Sequence, residues 1–433
     1  MNLIVLSWNY IKGQKLNTLL NTLLLGFGIA IIVVLLLVST QVQDKFTRNA
    51  QGIDMVVGAK GSPLQIILCN IFHIDFPTGN IPLEDAIWLS GQRLIAEAIP
   101  LALGDSYKTL RIVGTNHKYV EHYGGEVVKG KLWTDDLQVT LGSQAAQTLG
   151  LGIGDRFYGE HGMGAGGHVH EEHEYEVVGI LSPSGTALDN LILCNVESVW
   201  IMHEEEEEES DEEPEHDHTA EEGHDHHEEE HVHTEDELID NPFGIKVYHD
   251  LEGKEVTALI LKYRGPMAAV QLPRMINARG NLQAASPAFE MARLLSIVGI
   301  GVDVVQGFAY LIIFIAGLSV FIALYNSLKE RRYDLAIMRS MGASRMKLLF
   351  HIILEGMIIT FLGGITGFIL GHGVVELIGM LTGEGAQVSV TGRIFLYEEL
   401  LIIVVSFALG VIAALIPAIT AYRTDISKVL AKG

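Results

Sequence analysis

Cysteine is scarce in this chain, because 433 residues contain only Cys69 and Cys194. Neither belongs to a C-x-x-C pair or lies beside a metal-ligand pattern, and two cysteines are too few for a disulfide scaffold. Two alternatives remain open from the residues alone. The two cysteines pair with each other if both lie outside the membrane, or they are buried free thiols, which is the state that we expect.

The chain also lacks the G-x-x-x-x-G-K-[ST] motif with which a phosphate loop binds ATP. The run from Gly58 to Ser62 reads Gly-Ala-Lys-Gly-Ser, but it does not have the Gly-Lys-[ST] order that opens a helix at such a site. We therefore predict a turn there, and no ATP site in this sequence.

Basic residues are missing from one stretch, since the residues from His203 to Glu237 include 20 Asp or Glu and no Lys or Arg. Most of the formal net charge of −24 thus lies in this stretch, and nothing indicates a nucleic-acid surface. Such a segment buries too little apolar surface to offset the entropy of ordering, so we predict a disordered insert over 203–237.

The same part of the chain is rich in histidine, since 12 of the 18 histidines lie between His161 and His233. Imidazole and carboxylate groups at short spacing suit Zn²⁺ or a similar divalent metal. The density indicates metal affinity rather than one defined site, and a solvated acidic loop is an alternative that does not exclude it. The candidate ligands are His216, His218, His224, His226, His227, His231 and His233.

Long uncharged runs are what the chain has in abundance, and about 20 apolar residues suffice to cross a bilayer. The first run is longer than the apolar core of a signal peptide and no clear cleavage site follows it, so we interpret it as an uncleaved anchor. The predicted spans are residues 19–38, 304–328, 348–375 and 400–422.

Lys and Arg resist translocation, and they cluster before the first span, between the second and third, and after the fourth. The loop between the third and fourth spans has only Arg393. We therefore predict an inner-membrane protein with both termini in the cytoplasm. The remaining predicted parts are an amphipathic cytoplasmic helix (1–18), an external domain (39–301), a cytoplasmic segment (329–347), a short external loop (376–399) and a cytoplasmic tail (423–433).

The external domain alternates short β-branched runs with helical stretches, which predicts an α+β fold. The predicted strands lie within Tyr107–Gly114, Gln138–Leu141, Tyr175–Ile180, Asn190–Cys194 and Val256–Tyr263, and the helices within Pro82–Gly91 and Ser143–Leu149.

The third span has two unusual features. Gly363, Gly367 and Gly371 recur every four residues and form a face on which another helix can approach closely, in this chain or in a second copy. His351 and Glu355 share another face. A buried ionisable residue is a candidate for gating, but Glu355 can also snorkel or pair with a basic residue of the loop. The spans show no polar pathway typical of a channel.

The segment 329–347 is rich in helix formers and has no proline. Tyr333, Ile337 and Met341 recur on one helical face, and Leu335 falls among the arginines, so the pattern predicts a moderately amphipathic helix across the inner membrane face. A plain positively charged loop is the alternative. Gly342 is suited to a left-handed C-terminal cap and Ser344 to the N-cap of the next helix.

This segment reads E-R-R-Y-D-L-A-I-M-R-S-M-G-A-S over residues 330–344, and it resembles the coupling region of FtsX-like, MacB-like ABC transporter permeases. The ending from Pro417 to Leu430 is similar to the P-A-x-x-A-x-R-x-x-x-x-x-x-L tail of that family. The order of one span, a large external domain and three further spans also agrees with the family. The resemblance implies a four-helix membrane protein with an external α+β domain of the MacB-like periplasmic core type.

The resemblance further implies that a separate ABC ATPase subunit docks on this segment and moves it, so that ATP belongs to a partner. Other implied partners are a second permease copy and an external adaptor or substrate-binding protein. Two functions remain open: export or extraction of a lipophilic or membrane-associated cargo, and transmission of motion to an external partner without transport. The candidate coupling residues are Glu330, Arg331, Arg332, Asp334, Leu335, Met338, Arg339, Gly342, Ala343 and Ser344.

Overall fold

The computed structural model describes residues 3–13, 15–161, 169–202, 239–247, 251–382 and 390–423. These residues form two compact units. The first, here called the helix bundle, contains the described residues of Met1–Gln43, Leu295–Gly383 and Ser389–Gly433. The second, here called the α+β domain, contains the described residues of Asp44–Leu294.

The helices are given in chain order. They are α1 (Leu3–Gly13), α2 (Lys15–Ala50), α3 (Pro63–Asn70), α4 (Leu83–Ser90), α5 (His117–His122), α6 (Ser143–Leu149), α7 (described over residues 196–202), α8 (Ala268–Asn277), α9 (Pro287–Glu330), α10 (Arg332–Ser340), α11 (Arg345–Thr382) and α12 (Glu398–Tyr422).

Within the described residues, four helices are long and apolar enough to cross a membrane, namely α2, α9, α11 and α12. Each contains one predicted span. The helices α2 and α9 are 36 and 44 residues long and exceed those spans, because a search for uncharged runs finds only the apolar part of a helix. At 1.5 Å per residue α9 is about 66 Å long, against about 30 Å for the hydrocarbon core of a bilayer.

The glycine face of α11 packs against α2 of the same chain. A Cβ atom added at Gly367 would lie 2.6 Å from the Gly26 carbonyl oxygen, and one at Gly371 would lie 2.7 Å from the Val33 side chain. At Gly363 the neighbour is Leu25. Only a residue without a side chain permits this approach. Of the two alternatives for the partner, a helix of this chain or one of a second copy, the structure shows α2 of this chain.

The α+β domain is built on one mixed sheet. Its strands are β1 (Met55–Ala59), β2 (Ile81–Pro82), β3 (Ile95–Tyr107), β4 (Leu110–Gly114), β5 (Val127–Gly130), β6 (Gln138–Leu141), β7 (Arg156–His161), β8 (Val169–Leu181), β9 (Ile192–Cys194), β10 (Glu255–Val256), β11 (Ala258–Tyr263) and β12 (Leu282–Ala285). The order along the sheet is β12-β1-β11-β3-β4-β9-β6-β8-β5, with β7 pairing with β3 and β8, while β10 and β2 form a separate pair. The pairs β4–β9 and β6–β8 are parallel.

Two apolar cores cover the two faces of this sheet. Met55 and Val57 belong to one core, and Val56 between them belongs to the other, because successive side chains of a strand point to opposite faces. The second core also takes Met291 from the beginning of α9 and, at its edge, Phe46 from the end of α2. Two of the spanning helices, α2 and α9, therefore each contribute a side chain to this core.

The structure confirms an α+β fold for this domain, and β6 and α6 have the predicted bounds.

Cys69 and Cys194 are both free and buried, so the expectation of two thiols rather than a disulfide is confirmed. Burial raises the pKa of both thiols, which keeps them protonated and unreactive.

Candidate functional site

The coupling segment folds as predicted, as a short helix, and two caps form the joint between α10 and α11. Gly342 has φ of 98°, its N–H donates to the Arg339 carbonyl, and the Ala343 N–H donates to the Met338 carbonyl, both at 3.0 Å. This pair of bonds is a Schellman motif. The Ser344 hydroxyl then accepts from the Lys347 N–H at 3.3 Å and caps α11. The two caps fix where α10 ends and α11 begins.

One side of α10 is buried in the bundle and the other is open. Leu335 and Ala336 are buried, and Leu335 packs at the junction of α9, α11 and α12. The face of Tyr333, Ile337 and Met341 is exposed, at 50%, 37% and 82%. Leu335, which weakens the amphipathic pattern in the sequence, is thus the anchor of the helix. An exposed apolar face outside the four predicted spans is typical of an interaction surface.

The other candidate coupling residues fall into two groups around this face. Glu330, Arg332, Asp334, Gly342 and Ser344 are exposed, and Arg331, Met338, Arg339 and Ala343 are half-buried.

Arg331 lies between α9 and α10 and is held from two directions. Its Nη1 atom is 3.4 Å from Glu355 Oε1, and its guanidinium carbon lies 4.1 Å from the centre of the Tyr10 ring. Glu355 is only 6% exposed. Of the alternatives for Glu355, the structure thus shows pairing with a basic residue of the loop. A planar guanidinium suits both contacts at once.

His351 joins the same cluster from the preceding turn of α11. Its Nδ1 atom is 2.8 Å from the Ser7 hydroxyl of α1, and its ring centre is 5.6 Å from that of Tyr10. We call Ser7, Tyr10, Arg331, His351 and Glu355 the root cluster. It brings α1, the start of α10 and α11 together. Burial, followed by the nearby Asp334 carboxylate, raises the pKa of Tyr10, so its ring remains neutral.

A short polar track leads from the root cluster into the bundle. One small cavity of about 10 Å³ is bordered by four members of the root cluster, and a second of about 10 Å³ is bordered in part by Asn17, Asn21, Ser327 and Glu355. Further in, the Ser319 hydroxyl donates to Asn21 Oδ1 at 2.5 Å. This track was not predicted from the sequence. Isolated Asn and Ser residues in otherwise apolar runs are the pattern that indicates it.

The candidate metal ligands His216, His218, His224, His226, His227, His231 and His233 lie in residues 203–238, outside the described part of the chain. Among the residues that the structure does describe, no group of three or more His, Cys, Asp or Glu side chains is arranged to hold a metal ion.

Comparison with known proteins agrees with both units. Residues 18–213 match the MacB-like periplasmic core domain, and residues 307–426 match the FtsX-like permease C-terminal domain. The chain belongs to the FtsX-like, MacB-like family of ABC transporter permeases. The coupling segment, which includes Arg331, and the root-cluster residues of α11 lie inside the second match, whereas Ser7 and Tyr10 lie outside both.

Two curated relatives of this permease are named as uncharacterized. They are the ABC transporter permease YknZ of Bacillus subtilis, 22% identical over 195 residues, and MJ1507 of Methanocaldococcus jannaschii, 27% identical over 123 residues. These matches cover 43% and 28% of this chain and 46% and 31% of the relatives, so the matched part spans less than half of either relative.

Two solved structures are similar to part of this chain. The periplasmic region of MacB from Actinobacillus actinomycetemcomitans has a TM-score of 0.32 and 13% identity, with 58% of this chain and 97% of that chain covered. The extracellular domain of the transporter YknZ from Gram-positive bacteria has a TM-score of 0.28 and 11% identity, with 54% and 99% covered.

Proposed function

We propose that this permease converts ATP hydrolysis by a separate ABC ATPase into movement of its α+β domain, and that the movement exports or extracts a lipophilic or membrane-associated cargo. The ATPase docks on the exposed face of α10, with both termini and residues 329–347 in the cytoplasm. The ATPase itself supplies the nucleotide chemistry, since this sequence has no phosphate loop.

The observation that carries the proposal is the exposed apolar face of Tyr333, Ile337 and Met341 on a helix anchored by Leu335. Arg332 and Arg345 are exposed on the same segment, so an apolar contact can be surrounded by charges that select an acidic partner surface. Because α10 is capped at its C-terminal end and anchored by Leu335, a force applied to it reaches α9 and α11 rather than being absorbed in a loop.

The test is the ATPase activity that co-purifies with the tagged permease from cells that express both subunits. Ile337→Glu places a charge in the centre of the face, and we expect it to lower the co-purified activity at least tenfold, as for a residue near the centre of an interface. Val128→Glu is the matched control, because Val128 is an exposed apolar residue, at 62%, in the α+β domain. Equal co-purified activity for both variants would refute docking on α10.

Transmission of motion without transport is the second candidate function. It is favoured by α2 and α9, each an unbroken helix that begins or ends in the α+β domain and contributes a side chain to its core. Proteoliposomes that hold the complex and a labelled lipophilic cargo distinguish the two functions. ATP-dependent release of the cargo supports export, and ATP-dependent movement of the domain with no release supports transmission.

A response to divalent metal is a finer part of the proposal, and it is supported by the sequence alone. The histidines and carboxylates of residues 203–237 supply many nitrogen and oxygen ligands for Zn²⁺. We expect deletion of residues 204–237 to lower zinc binding in calorimetry and to alter the metal tolerance of cells. Unchanged zinc binding by the deletion variant would rule this part out.

A further inference from the structure

The helix α1 has an unusual buried face. In membrane-surface helices the buried side is normally apolar. In α1 the buried Ile11 packs among apolar residues of the bundle, but the buried Ser7 and the half-buried Tyr10 meet the polar root cluster. Trp8 and Lys12 lie on the exposed side. The polar side chains of α1 are therefore directed at one particular place in the bundle.

That place is Arg331, which lies between α9 and α10. The Arg331 carbonyl accepts the first helical hydrogen bond of α10, from the Leu335 N–H at 3.0 Å. Arg331 is thus the N-cap of α10, and whatever holds its side chain also holds the start of that helix.

Arg331 needs more than Glu355 to be held in one orientation. A single ion pair through one nitrogen at 3.4 Å permits the guanidinium plane to rotate. The ring of Tyr10 covers the guanidinium face at 4.1 Å and limits this rotation. The Ser7 contact with His351 fixes α1 to α11 one turn before Glu355. The Tyr10 ring on α1 and the Glu355 carboxylate on α11 are therefore held by two helices that contact each other.

We propose that α1 is a second coupling element, in which Tyr10 and Ser7 are positioning residues that hold Arg331 and thereby the start of α10. The inference rests on the proposed function for its purpose, because an α10 that transmits force needs a fixed start. The contacts on which it is based all lie within this chain. Loss of the Tyr10 contact leaves the exposed face of α10 unchanged and loosens only the attachment of the helix.

The test is hydrogen exchange of the backbone amides of residues 332–340 in the full-length permease in lipid nanodiscs, without the ATPase. In Tyr10→Leu, which keeps apolar bulk but removes the ring, we expect exchange in α10 to become about tenfold faster, as for a partly desolvated cation–π contact. Tyr10→Phe keeps the ring and should match the unaltered chain. Trp8→Leu, on the exposed side of α1, should match it as well.

Unchanged exchange in Tyr10→Leu, or equally fast exchange in Tyr10→Phe, would overturn the proposal. If Tyr10→Leu does not fold, Ser7→Ala decides, since it removes one hydroxyl and should raise α10 exchange by a smaller factor; no increase would also overturn it. The outcome is independent of ATPase docking. Fast exchange in Tyr10→Leu together with unimpaired ATPase binding by Ile337→Glu would support the role of α1 and refute docking on α10.

Discussion

The helix α11 carries the same short pattern near its two ends. A histidine is followed four residues later by a glutamate, as His351 and Glu355 near the start and as His372 and Glu376 near the end. Because residues four apart share a helix face, each pair is presented on one side of α11. At both ends an arginine from a connecting segment pairs with the glutamate.

The two ends differ in burial. The side chains of Arg331 and Glu355 are 15% and 8% exposed, and the Tyr10 ring covers the arginine. At the other end the side chain of Arg393 is 80% exposed, although its Nη2 atom lies only 2.8 Å from Glu376 Oε1.

At the second end the glutamate is instead held by contacts to one turn of chain, while His372 Nε2 also lies 3.4 Å from Glu399 Oε2 of α12. Glu376 Oε2 accepts from the Thr391 hydroxyl at 2.9 Å and from the Gly392 N–H at 3.0 Å. His372 Nδ1 donates to the Gly392 carbonyl at 2.6 Å. The glutamate and its arginine thus make a shielded joint between helices at one end and a solvent-exposed clasp at the other. By distance alone the Arg393 pair would be the stronger of the two. Burial makes the Arg331 pair the stronger one, because water screens an exposed charge pair.

The largest effect should come from removing the cation of the shielded joint. Arg331→Met keeps most of the apolar stem and leaves Glu355 buried without its arginine. We expect a loss of about 3 to 5 kcal/mol in the stability of the bundle, because a lone buried charge is costly. Thermal unfolding of the full chain in detergent measures it.

The matched control is the double variant Arg331→Met with Glu355→Gln, which removes both charges. Its loss should be much smaller than that of Arg331→Met, because the cost arises from the unpaired partner rather than from the missing bond. A double variant as unstable as the single one would mean that packing around Arg331, and not its charge, holds this end together.

An intermediate effect is expected between the two ends, where α11 contacts α2. Gly367→Ala would place a Cβ atom 2.6 Å from the Gly26 carbonyl oxygen, and the backbone cannot yield as a flexible side chain would. We expect a loss of about 1 to 3 kcal/mol, as for overpacked cores. Gly373→Ala is the control on the same helix, since nothing lies within 4 Å of its added Cβ. Equal unfolding temperatures for the two variants would contradict the close approach of α2 and α11.

The sequence predicts some of these features well and others not at all. Spans and caps follow from local rules, so the uncharged runs, Gly342 and Ser344 were identified from the chain alone. The glycine repeat predicted a close helix contact, but its partner α2 is more than 300 residues away and no local rule selects it. In the α+β domain, β6 and α6 were predicted with their bounds, whereas the strand order depends on pairings between distant segments.

The root cluster was only half predictable, for a related reason. His351 and Glu355 are conspicuous as polar residues in an apolar span, and pairing of Glu355 with a basic loop residue was one of the two alternatives. Ser7 and Tyr10 look ordinary on a short N-terminal helix. Their role depends on the packing of α1 against α11, which the amphipathic pattern of α1 does not specify.

The smallest effect should come from the exposed clasp. Arg393→Gln removes a pair that water and salt already screen, and Glu376 keeps its bonds from Thr391 and Gly392. We expect an unfolding temperature close to that of the unaltered chain, and any difference to vanish as salt is raised. The effect of Arg331→Met should persist in the same salt series, because its site is shielded. If high salt abolished both effects equally, the two ends of α11 would not differ in burial as described, and the root cluster would be open to solvent.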